Sequence, residues 1–549
     1  MTETLKLCKD DIRERTDVLI IDGYVDEPSL LGVPPYISPE PRLISGVLEE
    51  HCLNWEYITA DEFRNYGLPI ADKIIVHGGV TVPGNYLSGT PLTKREAEDI
   101  AEKAVVETFL GGPLARFSDV EGYKHYSKKD LSAYFYEYLN GVERDRWTTL
   151  HERNRWLVQG AKVVKRHPMY PDPLLAEVGP YRGCPRYITG GCSFCSEPLY
   201  GKPEFRDQRD IIEEIGGLYE LGIRNFRLGG QSCSLSYKAE GIGEKETPKP
   251  IPEEIRELYE GIWKRCEEIK VLHVDNANPS VIANYPDKSE EILECIVENT
   301  TSGNVLSLGI ESVDEKVIKE NNLNSNPDEV IKAVKMINKT GAERGENGMP
   351  KLLPGLNFLS GLKCEDSDTY SKNFKFLKDL LDENVLLRRI NIRQVMSSDD
   401  EFDVKHKSEF KKFKERVRKE VDRPMLRKML PEGIVLKDVY MEKREGKNTF
   451  GRQVGTYPLL IGVEYPLELG KYYDIVVTDY GYRSVTGIHH PFSLKEVSFK
   501  QLKAVPGIGK KRAATIFRKQ PKTKSDLECI IDDKEDLEKI LKFVQFEGD

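Results

Sequence analysis

Between residues 207 and 395 the chain keeps alternating two patterns, and that alternation leaves few folds open. Amphipathic helical stretches at 207–221, 252–269, 290–298, 326–339 and 371–381 are separated by short apolar stretches at 225–231, 271–277, 305–311, 356–361 and 389–395. Short apolar runs bounded by turn residues read as buried strands, and strands that alternate with helices pair in parallel. Asn324, Ser325 and Asn326 stand where the helix at 326–339 needs a cap. The series predicts an α/β fold, a full or partial (β/α) barrel of the TIM type. Chemistry in such a barrel sits at the C-terminal ends of the strands.

Just before the series, three cysteines fall within twelve residues: Cys184, Cys192 and Cys195. A closed structural metal site takes four protein ligands, whereas three leave a position open for chemistry. Thiolates are soft ligands that suit iron–sulfur clusters and zinc. No fourth ligand at zinc spacing stands nearby, so a 4Fe-4S cluster with one free iron is the favoured occupant. Gly183, Gly190 and Gly191 let the backbone wrap closely around a bulky group.

Composition sets limits on the rest. At 549 residues the chain should hold three or more domains. With 39% hydrophobic and 31% charged residues it reads as an ordinary soluble protein. There is no run of eighteen apolar residues and no secretory pattern, so a cytoplasmic location and no membrane contact are expected. The ten cysteines should therefore stay reduced. A net charge of −10 argues against a general polyanion binder, so any nucleic-acid surface must be local.

The first 120 residues read as a doubly wound, Rossmann-like unit. Strand patterns at 17–23, 71–79 and 107–113 alternate with helices at 43–50 and 96–106. Pro34-Pro35 and Leu110-Gly111-Gly112-Pro113 give this unit a resemblance to the cobalamin-binding-like domain that precedes many radical SAM enzymes. Domains of that kind that ligate cobalt carry Asp-x-His-x-x-Gly after the first strand. Here the stretch is Asp22-Gly23-Tyr24-Val25-Asp26-Glu27, without histidine. Two readings stay open: cobalamin as a cofactor, or a degenerate domain that packs or positions substrate. His77, at the end of the second strand pattern, is either a ligand or a hydrogen-bonding residue.

The region from about 175 to 400 resembles the radical SAM superfamily, on motifs that stand in order. Cys192-Ser193-Phe194-Cys195 corresponds to that family's C-x-aromatic-C ending. Gly229-Gly230-Gln231 takes the place of the Gly-Gly-Glu motif that receives the methionine amino group of S-adenosylmethionine. Gly309-Ile310-Glu311-Ser312 resembles its fourth-strand segment, and Phe358 to Leu362 with Glu365 its fifth. Asn276 lies where a polar third-strand residue reaches the ribose or the substrate. The resemblance implies a 4Fe-4S cluster on the three cysteines and S-adenosylmethionine on the open iron. The expected cofactor contacts are Phe194, Gly229, Gly230, Gln231, Asn276, Glu311 and Val395, with Phe194 near the adenine. An external electron donor is also implied. Three departures stand out: C-x7-C-x2-C replaces C-x3-C-x2-C, Gln231 replaces Glu, and Lys363-Cys364 replaces Pro-Gly.

The tail suggests a substrate handle. Residues 403–428 carry eleven Lys or Arg against five acids, either a solvated helix face or a phosphate-contacting surface. The β-rich stretch 449–487 resembles the small TRAM barrel found at the same place in radical SAM tRNA methylthiotransferases, with Tyr480, Tyr482 and Arg483 as candidate RNA contacts. The run from Leu502 to Ala514 resembles a helix-hairpin-helix. There Gly507 and Gly509 form the turn, and Lys510, Lys511 and Arg512 add charge beside helix amides that can hold a phosphate.

The expected organisation is a cobalamin-binding-like domain at 1–120, a connecting region at 121–174 and a radical SAM core at 175–400. A basic helical linker at 401–445, a TRAM-like β domain at 446–492 and a helix-hairpin-helix at 493–549 follow. The leading expectation is a radical SAM enzyme that modifies a nucleic acid, RNA such as tRNA rather than DNA, by methylation, methylthiolation or another C–H activation. Methylthiotransferases draw three cysteines for a second cluster from their first domain, where this chain has only Cys8 and Cys52. The alternatives are the same chemistry on a protein or small molecule, and a non-catalytic iron–sulfur protein that binds nucleic acid.

Overall fold

The computed structural model describes residues 16–24, 35–79, 87, 89–395, 402–495 and 497–546. Among them two compact units are distinct. One holds residues 16–24 and 38–168 apart from Leu87; the other holds 35–37, Leu87 and everything described from Met169 onward. No helix among the described residues is long and apolar enough to cross a membrane.

In the first unit β1 (Val18–Gly23) is wholly buried. The short strand β2 (Tyr36–Ile37) belongs to the second unit. With β3 (Trp55–Thr59), β4 (Lys73–Gly78), β5 (Glu107–Gly111) and β6 (His125–Tyr126), β1 forms a parallel sheet in the order β3-β1-β4-β5-β6. This is the doubly wound order with its topological switch between β1 and β4. β3 and the helix after it escape the sequence patterns, because Trp55-Glu56-Tyr57 mixes charge with aromatics at a half-exposed edge. Residues 121–168 are not a connector. The helix Leu150–Gln159 lies so close on Pro39–Glu50 that a Cβ at Gly46 would stand 2.2 Å from the Trp156 carbonyl oxygen. Trp156 is fully buried and donates its indole N–H to Glu50 at 2.6 Å.

The second unit starts its series with β7 (Leu175–Val178). A short antiparallel pair, β8 (Tyr181–Arg182) and β9 (Glu204–Phe205), then brackets the cysteine loop. β10 (Asn225–Leu228), β11 (Val271–Val274), β12 (Asn276–Ala277), β13 (Asn304–Glu311), β14 (Leu352–Ser360) and β15 (Ile390–Gln394) follow, each near its expected place. They form two four-stranded parallel sheets, β11-β10-β7-β2 and β12-β13-β14-β15. The strand expected over 271–277 divides at Asp275, where one sheet ends and the next begins. The result is a partial barrel whose strands follow sequence order. Asn326 is the cap of the helix Pro327–Gly341, in a reciprocal box with Glu329.

The tail is fused to this barrel. β16 (Val435–Glu445), β17 (Asn448–Gln453), β18 (Leu460–Val463), β19 (Tyr472–Tyr480) and β20 (Ser484–His490) close into a small barrel in the order β16-β17-β18-β20-β19. It begins at Val435, so its first strand lies inside the stretch expected as a helical linker. Its core is continuous with Val305, Met349 and Leu353 near the starts of β13 and β14, and with Leu502, Val505, Ile508 and Ile516 of the last helices. Gln453 donates to the Asn347 carbonyl at 2.8 Å, and Arg344 to the Met429 carbonyl at 2.9 Å. The small barrel thus seats against the N-terminal ends of β13 and β14. In the basic stretch, the helix Lys407–Val417 buries Phe410, Phe413 and Val417 and leaves most of its lysines outside. Tyr480, expected as an exposed RNA contact, is buried and donates to the Leu430 carbonyl at 2.5 Å, whereas Tyr482 is exposed.

Gly348 marks the tightest point of this seat. It has φ +88°, and a Cβ there would stand 2.0 Å from the Val435 carbonyl oxygen. Gly433 has φ +93° with open space around it. Gly433→Ala should cost only the left-handed strain of about 1–2 kcal/mol. Gly348→Ala should cost clearly more, beyond about 3 kcal/mol once backbone must move. Thermal unfolding of both variants checks this; equal shifts would remove the claim that the small barrel is locked to the base of the large one.

Candidate active site

The cysteine loop explains its own length. Between Cys184 and Cys192 the chain makes one 3-10 turn, Pro185–Thr189, and then two left-handed glycines, Gly190 and Gly191. A Cβ on Gly191 would stand 2.3 Å from Pro198 Cγ, so only glycine lets the loop fold back there. The turn exists to carry Arg186 inward. Arg186 is buried and donates through Nη1 to Cys192 Sγ at 3.0 Å and to the Asn322 carbonyl at 2.9 Å. Nη2 donates to Asn322 Oδ1 at 3.0 Å, and Asn322 Nδ2 donates to the Gly191 carbonyl at 2.7 Å. Its neighbour Asn321, fully buried, accepts from Ser193 Oγ at 3.0 Å and from the Lys363 amide at 3.1 Å. Two consecutive asparagines after β13 therefore pin the loop to the ends of β13 and β14. Sequence patterns pointed to neither of them, nor to Arg186. An arginine between cysteines and two asparagines past a helix carry no local signal of contact.

The three thiols are free and half-buried. Burial pushes Cys184 up, Cys192 up to about 11 and Cys195 up to about 12. At Cys192 the Arg186 charge opposes burial, while Glu311 and Cys184 add to it, so these groups share one electrostatic neighbourhood. As thiols they are protonated at neutral pH, and a metal must displace those protons to bind. Among the described residues no group of three His, Cys, Asp or Glu side chains converges as tightly as one metal ion requires. Three thiolates with nearby backbone amides are the donor set of an iron–sulfur cluster.

The strand ends bring most of the other expected residues to the same rim. Gly229 and Gly230 follow β10, and a Cβ on Gly229 would stand 2.8 Å from Glu177 Oε2. Gly230 has φ +64°. Gln231 is buried and turns its amide back to the Leu228 carbonyl at 3.3 Å, while its own carbonyl accepts from Asn276 Nδ2 at 3.1 Å. Gln231 thus presents backbone, and Asn276 is held beside it. Glu311 closes β13 at φ +61°, where the register with β14 shifts. A non-glycine held left-handed at a strand end is a strained position of the kind that active sites keep. Phe194 and Val395 pack with Cys192 around the apolar cluster of Val317, Leu323 and Leu362, a dry wall beside the thiols. Glu365 accepts from the Gly361 amide and the Tyr370 hydroxyl, each at 2.9 Å, and braces the turn after β14. Ser307, Asn357 and Asn391 form a hydrogen-bonded row across β13, β14 and β15.

Beneath the glycines lies a buried ion network that sequence patterns did not show. Arg227 pairs with Asp275 and approaches Glu177 at 3.5 Å. The Tyr36 hydroxyl donates to Glu177 at 2.6 Å and the Tyr457 hydroxyl to Asp275 at 2.5 Å. Tyr457 comes from the loop between β17 and β18, so the small barrel reaches into the large one.

Elsewhere the expected residues are placed as follows. Gly507 is left-handed at φ +86°, and Gly509 is the cap of the helix Lys510–Lys519. Lys510 and Lys511 are exposed, whereas Arg512 turns inward to the Gly507 carbonyl at 2.8 Å and to Asp536 at 2.5 Å. In the first unit Asp22 accepts from the Tyr57 hydroxyl at 2.7 Å and the Tyr24 amide at 2.8 Å, and burial raises it to about 6. His77 is buried with no hydrogen-bond partner on either ring nitrogen among the described residues; burial pushes it down to about 3, so it stands neutral. Cys8, Pro34, Val25, Asp26 and Glu27 lie outside the described residues.

Known proteins resemble the stretch of chain that carries this site. Residues 178–358, which run from the end of β7 into β14, match the family model of the Radical SAM superfamily. The chain is 44% identical over 503 residues to an uncharacterized protein of Methanocaldococcus jannaschii, with 85% of this chain and 92% of that protein aligned. It is 25% identical over 224 residues to a tRNA-2-methylthio-N(6)-dimethylallyladenosine synthase of Acinetobacter baumannii, covering 40% of this chain and 41% of that protein. The solved structure of the cobalamin-dependent S-adenosylmethionine radical enzyme OxsB aligns over 73% of this chain and 55% of that one, at a TM-score of 0.45 and 11% identity. A likeness of that size decides nothing about cobalamin here. The chain belongs to the radical SAM superfamily and is an enzyme of the kind that works with a 4Fe-4S cluster and S-adenosylmethionine.

Proposed function

We propose that this radical SAM enzyme modifies RNA, tRNA being the favoured class, and grips its substrate through the helix-hairpin-helix. The observation that carries the reading is the turn at 505–509. There the first amides of the ten-residue helix Lys510–Lys519 and the exposed Lys510 and Lys511 stand open to a phosphate. Arg512 instead closes the hairpin. The distant similarity to a tRNA-modifying synthase supports the same direction. So does the layout. The tail seats at the N-terminal ends of β13 and β14, while the thiols sit past their C-terminal ends, and the nine residues of β14 separate the two by about 30 Å. A substrate that meets both must be macromolecular.

At the active end Cys184, Cys192 and Cys195 would hold the cluster, with S-adenosylmethionine beside it. So occupied, the site would supply one-electron reductive cleavage of the cofactor, the chemistry that opens a substrate C–H bond. The protein orients and shields. The Gly229-Gly230 backbone and the Gln231 carbonyl with Asn276 would line the methionine, and Glu311 the adjoining polar groups. Phe194 and Val395 would flank the adenine and exclude water. Methylthiolation needs a second cluster held by further cysteines, and among the described residues of the first unit Cys52 stands alone. A methylation or another C–H activation fits better.

Protein loaded with iron and sulfide, given a strong reductant and S-adenosylmethionine, should release 5′-deoxyadenosine; well-loaded protein that releases none would end the reading of this site. Arg186→Ala, which removes the bonds to Cys192 Sγ and to Asn322, should weaken cluster retention about 10- to 100-fold, as removing a ligand's supporting partner does. Chelator competition followed by iron analysis reads this, and unchanged retention would show the anchor to be idle. Lys510→Gln with Lys511→Gln should lower the slope of RNA affinity against salt by about 0.7–0.9 for each phosphate no longer neutralised. Mass spectrometry of nucleosides from cells lacking the protein should show a missing modification. An unchanged nucleoside set would turn the substrate reading toward a protein or small molecule.

A further inference from the structure

The start of β15 gathers positive charge that the proposed reaction does not use. Arg388 and Arg389 immediately precede Ile390, and both are 7% exposed. Arg388 donates to the Tyr457 and Pro458 carbonyls at 3.1 and 2.9 Å, but its Nε is buried without a partner among the described residues. Arg389 is held left-handed at φ +76° and lays its guanidinium 3.8 Å from the centre of the Tyr457 ring, with Nη1 likewise buried and unpartnered. Arg418, at the end of the helix Lys407–Val417 in the basic stretch, donates to the Ile390 carbonyl at 2.9 Å and pairs with Asp422. Arg483, in the turn between β19 and β20, sits within reach of these charges. Burial and the charges of Arg418, Arg389 and Arg388 hold it well below the usual arginine range. Lys414 is likewise lowered by burial and by Arg418 and Arg483. Burial and then Arg389 push Arg388 down to about 10.

Arg418 pairs with Asp422, and Arg388 and Arg483 lie in the field of the same carboxylate, so three guanidiniums share it. Asp275, on the other side of Tyr457, is already taken by Arg227 and the Tyr457 hydroxyl. A buried cation without a counter-charge is costly, so such a group is stable only when an anion joins it. Guanidinium forks match the oxygens of a phosphoryl group, whose charge fits this excess better than one chloride or carboxylate does. A left-handed arginine whose Nη1 has no partner is backbone strain kept at a place with a use.

We propose that Arg388, Arg389, Arg418, Arg483 and Lys414 form a binding site for a phosphate-type oxyanion at the start of β15, where the large barrel, the basic helix and the small barrel meet. The oxyanion comes either from free phosphate or from the phosphodiester backbone of a nucleic acid. The site is separate from the helix-hairpin-helix and does not rest on the reaction proposed above.

The test uses the full chain and two probes. Inorganic phosphate should raise the melting temperature of the wild-type protein over chloride at equal ionic strength. Arg483→Gln, which relieves repulsion, should melt no lower than wild type in chloride and should lose the phosphate response. Lys510→Gln with Lys511→Gln should keep it. If phosphate has no effect, a single-stranded oligoribonucleotide is titrated against salt. A slope lower by about 0.7–0.9 in Arg483→Gln then assigns the site to backbone phosphate. Should Arg483→Gln fail to fold, Lys414→Gln and Arg483→Lys take its place in both arms. The proposal is overturned if wild type and site variants respond alike to phosphate and keep the same salt slope.

Discussion

Arg227 is the charge around which the large barrel is arranged. It lies buried between Glu177 and Asp275, with the rings of Tyr36 and Tyr457 at 5.7 and 5.8 Å from its guanidinium. Those partners come from β2, β7, the break between β11 and β12, and a loop of the small barrel. A lone buried cation is expensive, so the network holds only when all of these segments are in place. It therefore couples the sheet that carries Gly229 and Gly230 to a domain far later in the chain. It also fixes the Glu177 carboxylate against Gly229, where any larger residue would clash.

The second dependence is the cysteine loop on Asn321 and Asn322. A three-ligand cluster site needs its loop held from outside, because the open position contributes no protein contact. Here the loop is held by side-chain bonds across about 130 residues of sequence, and the extra residues between Cys184 and Cys192 are the means. The same contacts lay Phe194 and Cys192 against the apolar residues that follow β13 and β14. The thiols, the apolar wall and the strand ends are thus one rim rather than separate features.

Much of the fold was legible because the strands of the series are apolar, buried on both faces and punctuated by glycine, and helix periodicity between them is strong. What was missed follows a pattern. β3 alternates polar and aromatic residues at a sheet edge, and the helices between 131 and 159 read as connector because their partners lie a hundred residues earlier. β16 is so charged on its outer face that it reads as part of the basic linker. Tyr480 looked like an RNA contact, since aromatic residues in a small barrel look alike until the side on which they point is known.

By itself the sequence determined the chemistry class and the order of elements. Three cysteines at short spacing and glycine-ended strands are local patterns whose meaning needs no distant partner. Only the tertiary structure decided how those parts are held. It set Arg186 against Cys192, turned Gln231 so that its backbone faces Asn276, turned Arg512 inward, and gathered the arginines at β15 from three separated segments. The physical reason is that a charge or hydrogen-bonding group is assigned its role by what it is buried against. Burial partners in a parallel series are set by topology, not by neighbours along the chain.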